Sequence, residues 1–386
     1  MDVLLKGLRE VRMFIKEERT VVFAIFLIVL FGIVFSGCRK REAGELVPYR
    51  KGEQWGFCDR NKKVIIKIKY DRVEPFCQEL ACVRLYDKYG FVNREGREVV
   101  PLKYEDAWWD SREDIVAVQK EGKWGFVDKK GKVIIPFKYD KIQYFQEGLA
   151  AVKLEGKWGF IDTEGIEVIP LQYDEAGSFN EGMAKVRIGE KYGFIDREGK
   201  EVVLPEYDWV ADYSEGLAGV SIEKKYGFID KTGKIVIPLK YDLVKDFKEG
   251  LAGVEIKGKW GFIDKEGRIV IPPGYVWVDS FSEGLANVNI GGMPNKYVGV
   301  TGGKWGFIDR TGKIIIPLKY DRAHPFSNGL ARIKLGEKYG FINKEGREVI
   351  PPKYRNAEDF FLGLALVEFN FNQGYIDTSG AEYFED

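Results

Sequence analysis

The side chains able to carry out acid–base or metal chemistry are few and scattered. The chain of 386 residues has one histidine, His324, so a zinc site with several histidine ligands is excluded and Ser-His-Asp catalysis would depend on this residue. We expect His324 to be a partly exposed turn residue. Phosphate-binding G-x-x-x-x-G-K-[ST] loops and G-x-S-x-G nucleophile turns do not occur. The sequence therefore predicts no enzyme, no catalytic residue, no metal and no cofactor.

Three of the four cysteines, Cys58, Cys77 and Cys82, lie close together in the chain. Their spacing is not that of a zinc site. Two interpretations stay open: small buried or unreactive thiols, or a bridge within this segment, which an exported protein would allow.

Charged side chains are numerous but balanced, with 60 Lys and Arg against 60 Asp and Glu. A lysine recurs before an aromatic residue, as at Lys123, Lys157 and Lys225. Such lysines, aligned in a stacked array, would form a basic ladder for an anionic polymer. Ion pairs on a solvated face explain the same pattern without a ligand. Paired carboxylates would allow glycan cleavage, so a glycan-active or anionic-polymer-binding protein is kept as an alternative; no nucleic-acid partner is expected.

The chain repeats one segment of about 34 residues, marked by an aromatic residue, Gly, and an aromatic residue. Nine full copies and a truncated tenth follow one another, and a fixed period of this size indicates a repeat architecture. The nine full markers begin at Trp55, Tyr89, Trp124, Trp158, Tyr192, Tyr226, Trp260, Trp305 and Tyr339, and the degenerate tenth begins at Gln373.

Each copy reads as β-structure, because its apolar runs are short and are interrupted by Gly and Pro. In the copy at 122–155, "KWGFVD" and "VII" flank an Asp-Lys-Lys-Gly turn, and "LAAVKL" gives a third strand. We predict an all-β array of nine to ten three-stranded antiparallel units forming an open superhelix, because ten units exceed the usual number of propeller blades. A closed propeller-like ring is the alternative.

The repeated aromatic and glycine positions are expected to be structural. A glycine inside a strand is costly unless a ring or another backbone approaches closely, and we expect an aromatic ring to lie over it. The positions singled out are Trp55, Trp124, Gly125, Trp158, Gly159, Trp260, Gly261, Trp305 and Gly306.

The pattern resembles bacterial WG repeats, also called KWG repeats. "KWGFID" at 259–264 and "FSEGLA" at 281–286 match that pattern nearly letter for letter. The resemblance implies a β-rich array, often in exported or envelope proteins, with no shared catalytic residues.

The N-terminal region is different in character. We divide it into a charged segment (1–20), a hydrophobic helix acting as signal or transmembrane segment (21–38), and a tether (39–51) before the array (52–386). "FSGC" ending at Cys38 resembles a lipobox, which makes Cys38 the predicted lipidation site. An uncleaved single-pass anchor is the other possibility, and translation from Met13 would leave a signal-like start.

One unit is longer than the others, with eleven extra residues between Trp260 and Trp305. Insertions in repeat proteins fall in loops, often on the binding face. The candidate binding loop is Met293, Pro294, Asn295, Lys296 and Tyr297.

The sequence as a whole predicts a non-enzymatic repeat protein at the bacterial cell envelope. It would be attached to the membrane with its repeats on the exported side, and would present an extended β surface to an envelope protein or a surface ligand. A purely structural spacer is a second possibility.

Overall fold

The computed structural model describes residues 46–109, 113–295 and 299–385, and throughout these residues the regular structure is β. The predicted segment 21–38 and Cys38 lie outside the described residues. Within the described part, no helix is long and apolar enough to cross a membrane.

The repeating sheet has four strands, not the predicted three, and it is antiparallel throughout. The residues after each Tyr-Asp pair form a short fourth strand, because they reach the free edge of the "LAAVKL" strand; Lys141 and Ile142 pair there with Lys153 and Val152. We number the sheets as units 1 to 10 in chain order. Within the described residues, unit 1 has three strands.

The four strands of a sheet lie side by side in chain order. We call the first strand of each unit the inner strand and the last the outer strand. The inner strands are β4 (Arg72–Val73), β8 (Asp106–Trp109), β12 (Lys141–Ile142), β16 (Glu175–Ala176), β20 (Trp209–Val210), β24 (Leu243–Val244), β28 (Trp277–Val278), β34 (Arg322–Ser327) and β38 (Asn356–Ala357). The second strands are β1 (Val47–Lys51) in unit 1, then β5 (Leu80–Leu85), β9 (Ile115–Lys120), β13 (Leu149–Leu154), β17 (Ala184–Ile188), β21 (Leu217–Ile222), β25 (Ala252–Ile256), β29 (Ala286–Ile290), β35 (Leu330–Leu335) and β39 (Leu364–Phe369).

The third strands carry the Trp-Gly or Tyr-Gly marker, and the outer strands complete each sheet. The third strands are β2 (Gln54–Cys58), β6 (Lys88–Asn93), β10 (Lys123–Asp128), β14 (Lys157–Asp162), β18 (Lys191–Ile195), β22 (Lys225–Asp230), β26 (Lys259–Ile263), β32 (Lys304–Ile308), β36 (Lys338–Ile342) and β40 (Asn372–Asp377). The outer strands are β3 (Val64–Tyr70), β7 (Glu98–Tyr104), β11 (Val133–Tyr139), β15 (Glu167–Tyr173), β19 (Glu201–Tyr207), β23 (Ile235–Tyr241), β27 (Ile269–Tyr275), β33 (Ile314–Tyr320), β37 (Glu348–Tyr354) and β41 (Glu382–Glu385). The insertion adds the hairpin of β30 (Met293–Asn295) and β31 (Gly299–Thr301).

The repeated glycine is explained by a bulge in the outer strand. In unit 4, Phe160 pairs with Ile169 and Trp158 with Tyr173, so the outer strand has extra residues between these pairs. A Cβ on Gly159 would lie 2.6 Å from the Ile169 carbonyl oxygen and 2.8 Å from the Leu171 nitrogen. The expected aromatic ring over this glycine is therefore wrong for Gly159: the bulged backbone itself leaves no room. A ring takes that place in unit 10, where Phe384 lies against Gly374.

The predicted Asp-x-x-Gly turns join the third and outer strands. In unit 3 the Asp128 carboxylate accepts the backbone N–H of Lys130 at 2.9 Å and of Lys132 at 2.8 Å. Gly131 follows with φ +81°, which a residue with a Cβ seldom adopts.

Apolar side chains from two successive sheets meet face to face and form the core between units. Between units 4 and 5, for example, Trp158, Phe160 and Tyr173 pack with Phe179 and Val186. The Phe160 and Phe179 rings lie 4.9 Å apart. Similar cores follow along the array, so each unit is stabilised by its neighbours.

The array closes on itself, and the expected open superhelix is wrong. Strand β1 pairs in parallel with β41, through Arg50 with Phe384 and Lys51 with Glu385. Side chains of unit 10, including Tyr383, share one buried core with units 1 and 2. In the part of the chain that the structure describes, unit 1 begins at the strand equivalent to the second strand of other units, and unit 10 ends in a short outer strand that pairs with β1. Strand β1 also lies within the segment expected to be a tether, so the array begins before residue 52.

Candidate binding surface around the ring axis

We infer that the inner strands and the residues that follow them lie nearest the axis of the ring, because side chains there interact across an intervening unit. Their middle position is apolar and buried in most units, as at Val73, Ala176 and Val278. The positions on either side differ from unit to unit, and we call these side chains the axial surface. They are Arg72 and Glu74, Asp106 and Trp108, Lys141 and Gln143, Glu175 and Gly177, Trp209 and Ala211, Leu243 and Lys245, Trp277 and Asp279, Arg322 and His324, and Asn356 and Glu358.

Side chains near the axis interact across an intervening unit, which places them on a concave surface. Burial raises the pKa of Asp246, with the Asp212 carboxylate of unit 6 next in effect and Lys185 of unit 5 opposing it. Burial likewise raises the pKa of Glu358, and Glu74 of unit 2 adds to the rise. Both Asp246 and Glu358 are nevertheless exposed to solvent. Ionisable side chains that are open to solvent and still have a shifted pKa are typical of clefts that bind ligands.

His324 lies on a strand and not in the turn that we expected, and its partly exposed side chain joins a polar cluster. It lies on β34 with its Nδ1 atom 2.9 Å from the Arg332 guanidinium. The same guanidinium forms an ion pair with Asp359 of unit 10, with 3.0 Å between the Nε and Oδ1 atoms, and donates to the Ala357 carbonyl oxygen. Burial lowers the pKa of His324 well below its usual value, and Arg332 and Arg322 lower it further. The cluster fixes unit 9 to unit 10.

The insertion forms a hairpin that lies against the axial surface. Val300 is buried in the core between units 8 and 9, and a Cβ on Gly299 would be 2.9 Å from the Trp277 ring. Met293 is 71% exposed at the start of the hairpin. Lys296 and Tyr297 lie outside the described residues. The role of this loop in binding stays a prediction.

Beside this hairpin, a cation and two indole rings are held together. The Lys245 ammonium lies 4.4 Å from the centre of the Trp277 ring and 5.5 Å from that of Trp260. Asp279 accepts from the Trp277 Nε1–H at 3.0 Å and pairs with Lys245 at 3.2 Å.

The repeated lysines before the aromatic residue are mostly neutralised, so they do not form a free basic ladder. Lys157 pairs with Asp174 at 2.7 Å, and Lys225 pairs with Asp242 at 2.7 Å. In these pairs the aspartate is the residue after the repeated tyrosine, and its second oxygen accepts a backbone N–H from the next unit, as Asp174 does from Gly189. The structural interpretation explains these lysines.

A second ladder of side chains was not foreseen and connects one unit to the next. The carboxylate of Glu181 accepts the backbone N–H of Glu215 at 2.7 Å and of Gly216 at 2.9 Å. Related contacts join Glu147 to Gly182, Glu215 to Gly250, Glu249 to Gly284, Glu283 to Gly329 and Asn328 to Gly363. The sequence signal was the recurring Glu-Gly pair, which is typical of a two-residue hairpin turn with positive φ at both positions.

Cys58 and Cys82 are both free thiols, so no two of Cys58, Cys77 and Cys82 are bridged to each other. Burial raises the pKa of Cys58 to about 12. Such thiols are inert.

Clefts open between units. One, of about 630 Å³, lies at the closure and is lined by Arg60, Asn328, Asp377 and Tyr383 among others. Another, of about 370 Å³, lies between units 4 and 5 at the axial surface and is lined by Lys141, Lys153, Glu175, Lys185 and further residues.

The fold and these surfaces define an all-β protein built from repeated units joined in a ring. The sequence matches the model of the WG containing repeat nine times, spanning residues 55–293 and 305–370. The chain therefore belongs to the WG-containing repeat family. No curated protein matches the sequence.

Solved structures show a likeness in fold alone. The chain is similar to a structure titled "Crystal structure of the eukaryotic initiation factor", with 11% identity and a TM-score of 0.55, covering 79% of this chain and 94% of that chain. Weaker likenesses are to Hsv2p of Kluyveromyces lactis (11% identity, TM-score 0.37, 61% and 91% of the two chains) and to the dihydro-heme d1 dehydrogenase NirN (12%, 0.39, 90% and 74%).

Proposed function

We propose that this protein is a non-enzymatic binding scaffold that recognises a partner or ligand with its axial surface. One observation carries the proposal: the units repeat the residues that pack and turn, whereas they differ at the axial positions. A purely structural spacer would have no need of charged and aromatic side chains that change from unit to unit around one concave surface. The hairpin at Met293 adds a further distinct feature at the same surface.

We propose that the scaffold works at the bacterial cell envelope, with Cys38 as the site of lipid attachment. Strand β1 begins at Val47, so residues 39–46 would connect the lipid to the ring and span at most about 28 Å. The ring would then lie close to the membrane on the exported side. A single-pass anchor at 21–38 is the alternative. Intact-mass measurement of the membrane-extracted protein and of Cys38→Ser distinguishes them, because only a lipoprotein loses its acyl mass and its cleavage in the variant.

Capture from native membranes tests the binding role. The full-length protein is used as bait beside two variants, Trp277→Ala at the axial surface and Val236→Ala on the outer strand of unit 6, where Val236 is 38% exposed. We expect a defined partner that is retained by Val236→Ala and lost with Trp277→Ala. Equal capture by all three proteins would contradict an axial binding surface. Turnover of a glycan by the wild-type ring would instead support the glycan-active alternative, for which the Glu74–Glu358 carboxylates are the first residues to replace.

A further inference from the structure

The cleft between units 4 and 5 contains two lysines that face each other. The charge of Lys153 acts on Glu175 and Asp140, but these carboxylates form their ion pairs with Arg187 and Lys123. Lys141 on β12 and Lys153 on β13 are direct cross-strand partners. Like charges in this arrangement destabilise a sheet. Among the described residues, no carboxylate lies within ion-pair distance of either ammonium group; Lys153 instead lies 6.0 Å from the centre of the Trp158 ring.

The nearby acidic residues are already engaged. Asp174 is paired with Lys157 at 2.7 Å and accepts the Gly189 N–H at 2.7 Å. Glu175 is bound by the Arg187 guanidinium at 2.8 Å and by the Tyr192 hydroxyl at 2.8 Å. These bonds hold the pKa of Glu175 below its usual value, the Tyr192 bond most strongly. The cleft thus keeps an excess of positive charge.

Two other units have a pair of like charges at the corresponding cross-strand position, but there a carboxylate lies close to at least one of the two cations. In unit 2, Arg72 pairs with Glu74 at 2.9 Å, and its partner Arg84 pairs with Asp87. In unit 9, Arg322 lies opposite Lys334, and the Lys334 ammonium is 3.9 Å from the Glu337 carboxylate.

The walls of the cleft are closely packed and hold its side chains in place. Gly177 lines the cleft from unit 5, and its missing Cβ leaves room for the Lys185 side chain, which would lie 2.8 Å from an added Cβ. The Gln143 amide is fixed by the Ala176 carbonyl oxygen at 3.0 Å and the Ser178 hydroxyl at 2.9 Å. The volume of about 370 Å³ is in the range of small-molecule sites.

We propose that this cleft binds a small phosphate-bearing ligand, with the anion held between Lys141 and Lys153. The inference rests on the proposed function, since it assigns a ligand class to one part of the axial surface. Lysine binds phosphate as a compact point charge. The bound oxyanion supplies the negative charge that the cross-strand pair lacks.

Calorimetric titration of the full chain with inorganic phosphate, pyrophosphate and glucose 6-phosphate tests the proposal. We expect saturable binding that weakens by at least about tenfold in Lys141→Gln/Lys153→Gln. Lys130→Gln, a loss of one exposed lysine in a turn of unit 3, should leave binding unchanged. Absence of binding to all three probes, or equal weakening in Lys130→Gln, would overturn the proposal.

Thermal unfolding gives a second readout, with the opposite sign from that of a structural role. In phosphate-free buffer the single variant Lys141→Gln should melt at a higher temperature than wild type, because the repulsion between Lys141 and Lys153 is relieved. Added phosphate should raise the wild-type midpoint more than that of the variant, so that the difference between the two midpoints becomes smaller. A lower midpoint for the variant in both buffers would show that Lys141 is structural.

Binding to phosphatidylglycerol vesicles that disappears in the double variant would identify a lipid headgroup and contradict a soluble ligand. Failure of membrane capture with retained phosphate binding would refute only the wider scaffold role.

Discussion

Two residue types fix the local geometry of every unit, and each has a separate physical reason. The aspartate of the Asp-x-x-Gly turn accepts two backbone N–H groups, as Asp128 does from Lys130 and Lys132. The glycine of the third strand is required because the bulge in the outer strand brings a carbonyl oxygen to within 2.6 Å of where the Cβ of residue 159 would be.

Replacement of Gly159 tests the close approach. Gly159→Ala should lower the free energy of unfolding by about 1–3 kcal/mol, because the new Cβ must displace backbone atoms. The control is Gly274→Ala, where the nearest atom to an added Cβ is 3.9 Å away and φ is not positive. Denaturant unfolding of the two variants measures the difference; equal stabilities would mean that the strand can shift to accept a side chain.

His324 should make stability depend on pH near neutrality. Burial lowers its pKa in the folded state, so below about pH 6.5 the unfolded chain binds a proton that the folded protein does not. Stability contributed by the neutral ring is therefore present above this pH and is lost as pH falls. The loss is at most about 1.4 kcal/mol per pH unit.

The comparison protein is His324→Asn, which keeps an acceptor for Arg332 and does not titrate. Urea unfolding of both proteins between pH 7.5 and 5.5 should give curves that diverge on acidification, with the wild type losing more. Parallel curves would show that His324 is solvated and titrates normally.

At the scale of the element, the hairpin turn of one unit is held by the glutamate of the preceding one. Glu181 has φ +53° and Gly182 φ +83°, as a two-residue turn with positive φ at both positions requires. The carboxylate meets two backbone donors of unit 6, and Lys231 lies 3.3 Å away. Glu181 is therefore part of the turn of unit 5, and its carboxylate holds the turn of unit 6.

Truncation of this glutamate should weaken the contact between units. We expect Glu181→Ala to cost about 1–3 kcal/mol, because two backbone donors lose their acceptor. Glu181→Asn should retain most of the stability, since Asn328 occupies the same position in unit 9 and accepts the Gly363 N–H at 3.1 Å. Glu266→Ala serves as the surface control, with an expected change within about 0.5 kcal/mol. If Glu181→Ala lowers the free energy of unfolding no more than the control does, the hydrogen bonds between successive turns do not contribute to stability.

At the scale of the whole molecule, closure joins the two ends of the chain through a strand pair, polar contacts and a shared core. The Lys51 ammonium lies 3.1 Å from the Glu385 carboxylate, Tyr49 donates to the same carboxylate at 2.5 Å, and the Trp55 and Tyr375 rings meet at 5.8 Å. An exposed ion pair adds little by itself; the shared core of units 1, 2 and 10 supplies most of the stabilisation.

Deletion of residues 382–386 should open the ring, because it removes β41. Hydrogen exchange is expected to rise at units 1 and 2 as well as at units 9 and 10, and small-angle scattering should give a larger radius of gyration. Glu266→Ala, in a turn of unit 7, is the control and should leave exchange in the ring unchanged. An increase confined to unit 10 would instead describe an open array whose last unit frays.

The sequence alone determined the repeat, its β character and its turns, because these depend on neighbours close in the chain. Trp158-Gly159, the turn at Asp162 and the buried Tyr173 follow from short-range hydrogen bonding and from the spacing of apolar residues. Only the tertiary structure decided that the array closes, because closure depends on how the packing of successive sheets accumulates over ten units and brings Lys51 beside Glu385. It also decided which side chains face the axis. Lys141 and Lys153 are twelve residues apart in the chain, and only the pairing of β12 with β13 makes them opposite each other.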